Sequence, residues 1–157
     1  MKRLVPFSAV SFLLLFTIAL DSFAIIIGPV TKEKLILNSH DIIHGIVKEV
    51  RSEWDENHST IYTYAKIEVL NVFKGEPRDQ AVVQIPGGTV NDTSLWVEDE
   101  AELTEEMEII LHIGLYENGN LGIYNGELGV YVVNNGVVEE LNMTLDQFKN
   151  LVGELIK

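Results

Sequence analysis

Cysteine is absent from all 157 residues. No disulfide can brace the fold, so packing and backbone pairing must supply its stability. The usual bacterial lipid anchor, which is built on a cysteine, is excluded for the same reason. Positive charge is scarce as well: 11 Lys and Arg stand against 24 Asp and Glu, a formal net charge of −13. An excess of that size repels phosphate backbones and anionic membrane surfaces, which removes nucleic acid from the expected partners. Catalytic signatures are missing too. The chain contains no Gly-x-Ser-x-Gly elbow, the turn that lifts a nucleophilic serine out of a strand-to-helix junction.

What is present begins with an export leader. Lys2 and Arg3 are followed by an apolar run from Leu4 to Leu20 and by Asp21-Ser22-Phe23-Ala24, with small residues at the −3 and −1 positions. Cleavage after Ala24 is expected, giving an extracytoplasmic, secreted product of residues 25–157. That is the size of one domain, with enough chain to build a core. Two cations and one anion leave with the leader, so the remainder is one unit more negative. The alternative is a membrane anchor formed by residues 4–20, which reach the lower limit of about 17 to 25 residues for spanning a bilayer.

Past the leader, Thr31 to His40 reads as a short helix with Thr31 as its cap and Leu35, Ile36 and Leu37 as its contact face. Asp41 to Val50 is rich in β-branched residues and reads as a strand, with Gly45 marking a bend or a close backbone approach. A polar stretch from Arg51 to Thr60 separates it from a longer strand, Ile61 to Phe73. Period 2 puts Ile61, Ala65, Ile67, Val69 and Phe73 on one face and Tyr62, Tyr64, Lys66 and Glu68 on the other. Ala81 to Ile85 is a short strand stopped by Pro86-Gly87-Gly88, after which a long connection runs to about Glu106. The segments 107–116, 121–124, 129–133 and 137–140 read as a meander. Its reversals are marked by Asn118-Gly119, Asn125-Gly126 and Asn135-Gly136, pairs that tolerate the positive φ of tight hairpins. Thr144 and Gln147 fit a capping box opening a C-terminal helix, with Leu145, Phe148, Leu151, Val152, Leu155 and Ile156 at helical spacing. The fold expected is mainly β: a small antiparallel barrel with a short N-terminal helix and a C-terminal helix.

The order of Asp41-Ile-Ile-His-Gly-Ile-Val47, Trp54, Ile61-Tyr-Thr-Tyr64, Val72-Phe-Lys-Gly75, Ile85-Pro-Gly-Gly88 and Glu106-Met-Glu-Ile-Ile-Leu111 resembles an uncharacterised family of small exported prokaryotic proteins. More remotely, it is similar to the five-stranded OB-type barrel of netrin-like domains, which include tissue inhibitors of metalloproteinases. The resemblance implies an OB-fold barrel. It does not carry the inhibitors' mechanism, because they bind the catalytic zinc through an N-terminal cysteine, and the end expected here is Ile25-Ile-Ile-Gly28.

Weighed residue by residue, the chemistry points away from catalysis. His40 and His44 have the spacing of zinc ligands on a helix, but on a strand their side chains diverge, and no metal or cofactor is expected. Ser39-His40-Asp41 has the residue types of a triad without its convergence from separated positions. His58 reads as a solvated loop residue and His112 as a packed or surface one. Glu98, Asp99, Glu100, Glu102, Glu105, Glu106 and Glu108 lack the spacing that wraps a calcium ion and read as a solvated acidic loop. Asn57, Asn91 and Asn142 begin N-glycosylation acceptor patterns, Asn142 being the weakest because Thr144 serves as a cap. Trp54, Tyr62, Tyr64 and Trp96 are the expected ligand-binding set, forming an aromatic patch near one end of the barrel. The alternative for these rings is a platform beneath the C-terminal helix.

The function expected is a non-catalytic binding or interaction domain for an extracytoplasmic protein or small ligand, with membrane contact only if the leader is retained. Two alternatives are a metal-dependent hydrolase using His40, His44 or His112, and a protease-inhibitor-like module.

Overall fold

A computed structural model of the protein describes residues 29–157. The leader, its cleavage site and the expected new terminus at Ile25 lie outside the described residues. Within them the protein is mainly β, with a large sheet and two helices.

Helix α1 (Lys32–Asn38) starts at Thr31, whose side chain accepts from the Lys34 backbone N–H at 3.3 Å. Leu35 and Ile36 are buried, whereas Leu37 is 51% exposed. At 3.6 residues per turn, Leu37 is swung to the far side of the helix from Leu35, so the contact face is narrower than expected. Three carbonyls near the helix end, those of Ile36, Leu37 and Ser39, all accept from Lys74 Nζ, at 2.9, 2.9 and 2.7 Å. A lysine therefore supplies the donors that a helix C-terminus lacks.

Strands β1 (Asp41–Trp54) and β2 (Ile61–Lys74) pair antiparallel along their whole length. β1 thus runs four residues beyond Val50, and Arg51 to Trp54 belong to it rather than to the polar connection. Alternating Ser52 and Trp54 on one face with Arg51 and Glu53 on the other is sufficient pattern for a strand whose partner is long. The register slips at three places along this pair, skipping Lys48, Leu70 and Phe73. Each slip is an extra residue on one strand. The one at Leu70 has the largest effect on the sequence pattern, because it reverses parity. Val69 and Val72 both pack on the inner cluster, and Phe73 turns to the opposite face, away from Ile61, Ala65 and Ile67. Gly45 meets the expectation of a close approach: a Cβ there would overlap the Glu68 carbonyl oxygen.

β3 (Gln80–Pro86) pairs with β2, and β6 (Glu108–Leu115) pairs with the first half of β1. Between them the long connection is not unstructured. It forms a small hairpin, β4 (Gly88–Val90) and β5 (Thr93–Leu95), turned by Asn91 at φ 52°. β7 (Leu121–Ile123) and β8 (Val130–Asn134) both pair with β6 and not with each other, so the meander is broken at its middle reversal. Asn125 and Gly126, both left-handed, lead into a 3₁₀ turn over Gly126–Gly129 instead of a hairpin. β7 also meets β3 in a single parallel bridge, Gln84 with Gly122. β9 (Val137–Val138) and β10 (Met143–Thr144) complete the sheet, and α2 (Leu145–Leu155) follows with its capping box formed in both directions.

β6 separates the two halves of the core. Its Ile109, Leu111 and Ile113 enter an inner cluster with Ile43, Val47, Ala65, Ile67, Val83 and Ile85. Ile110 faces the other way, into a cluster with Ile42, Tyr131 and the helix residues Ile36, Phe148 and Val152. A strand buried on both faces reads as a continuous apolar run, which is how Ile109-Ile-Leu-His-Ile113 appears.

Candidate functional site

The four aromatic residues expected to converge do not share one face. Register places Trp54 opposite Ile61 and Ser52 opposite Thr63, on the inner side of the β1–β2 ribbon. Tyr62 pairs with Glu53 and Tyr64 with Arg51, on the outer side. Trp54 stacks instead on His58, with ring centroids 6.2 Å apart. Trp96 projects from the connection after β5, 75% exposed, and lines a cleft with the inner-side residues Ser52 and Thr63.

Two other residues join the tyrosines. Tyr116, just past β6, folds its ring over Gly122, where any Cβ would overlap it. Together with Tyr62, Gln84, Pro86, Glu117 and Asn118 it walls a groove of about 280 Å³. Arg51 lies 5.4 Å above the Tyr64 ring, near enough for its guanidinium to be held by the ring's negative face. The outer strip therefore carries Tyr64 under Arg51 at one position and the Tyr62–Tyr116 groove beside it. Burial, reinforced by the Glu100 carboxylate, pushes the Tyr116 hydroxyl up to about 12. Burial and Glu53 also raise Tyr64, against the opposing pull of Arg51. Both phenols stay protonated at neutral pH and can donate as well as accept. Gln84 lies at the back of the groove, 4% exposed, its Oε1 accepting from Asn120 Nδ2 at 2.6 Å.

The C-terminal helix does not use these rings as its platform. α2 packs through Phe148 on Phe73, 5.5 Å between centroids, and on Tyr131 at 6.0 Å. Phe73 is nine positions from Tyr64, roughly 30 Å along a strand. The platform was hidden from the sequence by the bulge at Leu70, which delivers Phe73 to the helix side. Arg51 and Tyr116 were missed for different reasons: Arg51 was assigned to a loop, and Tyr116 is placed by a turn, Tyr116-Glu117-Asn118-Gly119, that returns the ring onto a glycine of the adjacent strand β7.

The histidines go to separate places. His40 is half exposed beside Asp41, at 3.1 Å. His44 is buried, with Glu108 Oε1 2.8 Å from Nε2, Asn71 Nδ2 3.0 Å from Nδ1, and its ring stacked on Phe73. His112 is fully buried, its Nδ1 3.0 Å from Ser39 Oγ and its Nε2 without a partner. Asp41 is 1% exposed and meets Arg78 Nη2 at 2.5 Å on one oxygen and His40 on the other, while Ser39 turns away to His112, so the three do not form a relay. Among the described residues no three His, Asp or Glu side chains gather in a group able to hold a metal ion.

The acidic connection is likewise dispersed. Glu106 pairs with Lys48 at 3.0 Å and Glu108 with His44, while one Glu100 oxygen is buried without a donor. Asn57, Asn91 and Asn142 are all exposed, in the β1–β2 turn, the β4–β5 turn and the left-handed residue before β10. The Thr144 hydroxyl of the third pattern is engaged in the helix cap.

No protein-family model and no curated protein matches the chain.

Proposed function

We propose that this is an exported, non-catalytic binding module that holds a segment of an extracytoplasmic protein partner against its outer tyrosine strip. The observation that carries the reading is the groove between Tyr62 and Tyr116, which continues to Tyr64 under Arg51 and is covered by neither helix. Tyrosines offer large rigid contact area with a polar tip and lose little conformational freedom on binding, which is why they anchor interfaces. Gln84, Glu117 and Asn118 supply polar groups around the groove to fix an extended segment in register.

We further propose that the sheet closes into an OB-type barrel, as in the netrin-like domains and exported prokaryotic family that the sequence resembles. Its support is the order of pairings, in which β1 bonds β2, β2 bonds β3, β3 touches β7, β7 bonds β6 and β6 returns to β1. OB-type barrels bind across the outer face of their second and third strands, where Tyr62, Tyr64 and Gln84 lie. Export rests on the leader's composition.

The test immobilises the purified protein and compares what it retains from an extracytoplasmic fraction with what Tyr62→Ala and Tyr116→Ala variants retain. The reading expects a protein held by the parent and released by both variants while their circular dichroism is unchanged. Equal retention by all three would overturn it.

A further inference from the structure

The connection from Gly87 to Thr104 roofs a second cleft, of about 410 Å³, on the inner side of the β1–β2 ribbon. It opens on the opposite face of β2 from the tyrosine strip, since neighbouring Tyr62 and Thr63 point to opposite sides, and Pro86 borders both. Its floor carries hydroxyls. Ser52 Oγ and Thr63 Oγ1 lie 2.8 Å apart, and Thr63 donates to the Gly87 carbonyl at 2.8 Å. Gly88, at φ 131°, has no room for a Cβ, which would overlap both hydroxyl oxygens, so the roof descends as close to the floor as backbone permits.

The lining has a definite chemical bias. Trp96 lines the cleft and is 75% exposed, so its indole is accessible to a ligand there. Glu100 and Glu102 line the cleft, and no Lys, Arg or His does. One Glu100 oxygen is buried and accepts no hydrogen bond, and burial raises the carboxyl's affinity for a proton.

We propose that this cleft binds a small organic ammonium ion, its charge set against Glu100 and Glu102 and its hydrocarbon body against Trp96. The face of an indole attracts a cation, carboxylates add Coulombic pull, and Leu95, Val97 and Leu103 provide apolar contact for the alkyl part. An anion would meet two like charges and no cation. A neutral polyol would satisfy the hydroxyls yet leave the carboxylates without a counter-charge.

The test uses a Trp54→Phe variant of the full chain, in which Trp96 is the one remaining tryptophan, titrated with 1,4-diaminobutane, glucose and butyrate while its fluorescence is followed. The expected result is a saturable change with the diamine and none with the other two, weakened about fivefold or more by Glu100→Gln, the scale of one partly buried charge pair. A response to glucose equal to that of the diamine, no saturable diamine response, or an affinity unchanged by Glu100→Gln would each overturn the proposal. Calorimetry on the unsubstituted chain with the same three probes gives the same decision if the tryptophan variant does not fold.

Discussion

Ser39 Oγ and His112 Nδ1 lie 3.0 Å apart, joining the end of α1 to the middle of β6 across 73 positions of sequence. Ser39 donates its only proton to the Leu35 carbonyl, at 2.5 Å, so its oxygen accepts from His112 and the imidazole carries its proton on Nδ1. Nε2 is left bare and buried, and the Tyr131 and Phe148 rings pack against the imidazole in T-shaped fashion, centroids 5.2 and 6.3 Å away. The pair has two members of a catalytic relay, but it is sealed under the helix layer and serves as a joint.

That joint makes the fold acid-sensitive. Burial holds His112 down at about 4, against an ordinary value of 6.5. Between those values the unfolded chain binds the proton and the folded chain does not, so stability falls as pH drops from 6.5 to 4, by about 3 kcal/mol over the window. Below pH 4 the loss from this group is complete. Denaturant titrations at pH 7, 5.5 and 4 should show the decline, and His112→Phe should flatten this part of it.

Lys74 and Gly75 act together at the other side of the same helix end. Lys74→Met removes the donor shared by three carbonyls and is expected to lower stability by about 1 to 3 kcal/mol. Gly75 sits at φ 105°, and a Cβ there would overlap the Asp41 carboxylate. Gly75→Ala should therefore cost more than the roughly 1 kcal/mol typical of a helix or strand glycine replacement. Thermal or urea unfolding measures both.

Asp41 depends on Arg78. Removing the guanidinium leaves a carboxylate whose side chain is 2% exposed, with the half-exposed His40 as its remaining neighbour. Arg78→Met should destabilise by about 3 kcal/mol at pH 7, the usual penalty for breaking one half of a buried pair. Adding Asp41→Asn to it should recover part of the loss, and a double-mutant cycle in urea separates the two contributions.

How far the sequence was legible depended on whether one local rule applied throughout an element. The capping box at Thr144, the apolar run of β6 and the alternation from Ile61 to Val69 each follow one period or one motif, and each is found as expected. Leu70 breaks that condition. Its extra residue reverses parity, so Phe73 cannot be assigned to a face without knowing the register against β1. The tyrosine pair was legible by the same alternation, whereas Trp54 was misplaced because its strand was taken to end at Val50. Tyr116 and Arg51 join the candidate site only through pairings between distant strands, which no spacing along the chain encodes.

The bulge itself can be tested. Leu70 is 47% exposed, so Leu70→Ala should change stability by no more than about 0.5 kcal/mol. Deleting Leu70 takes out the extra residue and leaves Val72 inward and Phe73 on the helix side by plain alternation, so the fold should be kept, whereas deleting Leu70 and Asn71 together turns Val72 out and Phe73 in and should be severely destabilising. Comparable effects from the two deletions would mean that the slip does not set the faces of β2.

The central claim is that the outer tyrosine strip is where a partner is held. A photo-reactive phenylalanine analogue placed at position 64 reports contacts made at that surface in the native compartment, and the same analogue at Lys149, exposed on α2, reports the opposite end of the ribbon. The account predicts a discrete crosslinked protein from position 64, suppressed when Tyr62→Ala and Tyr116→Ala are added, and no such product from position 149. Crosslinks from position 149 alone, or a position 64 product indifferent to the two substitutions, would contradict it.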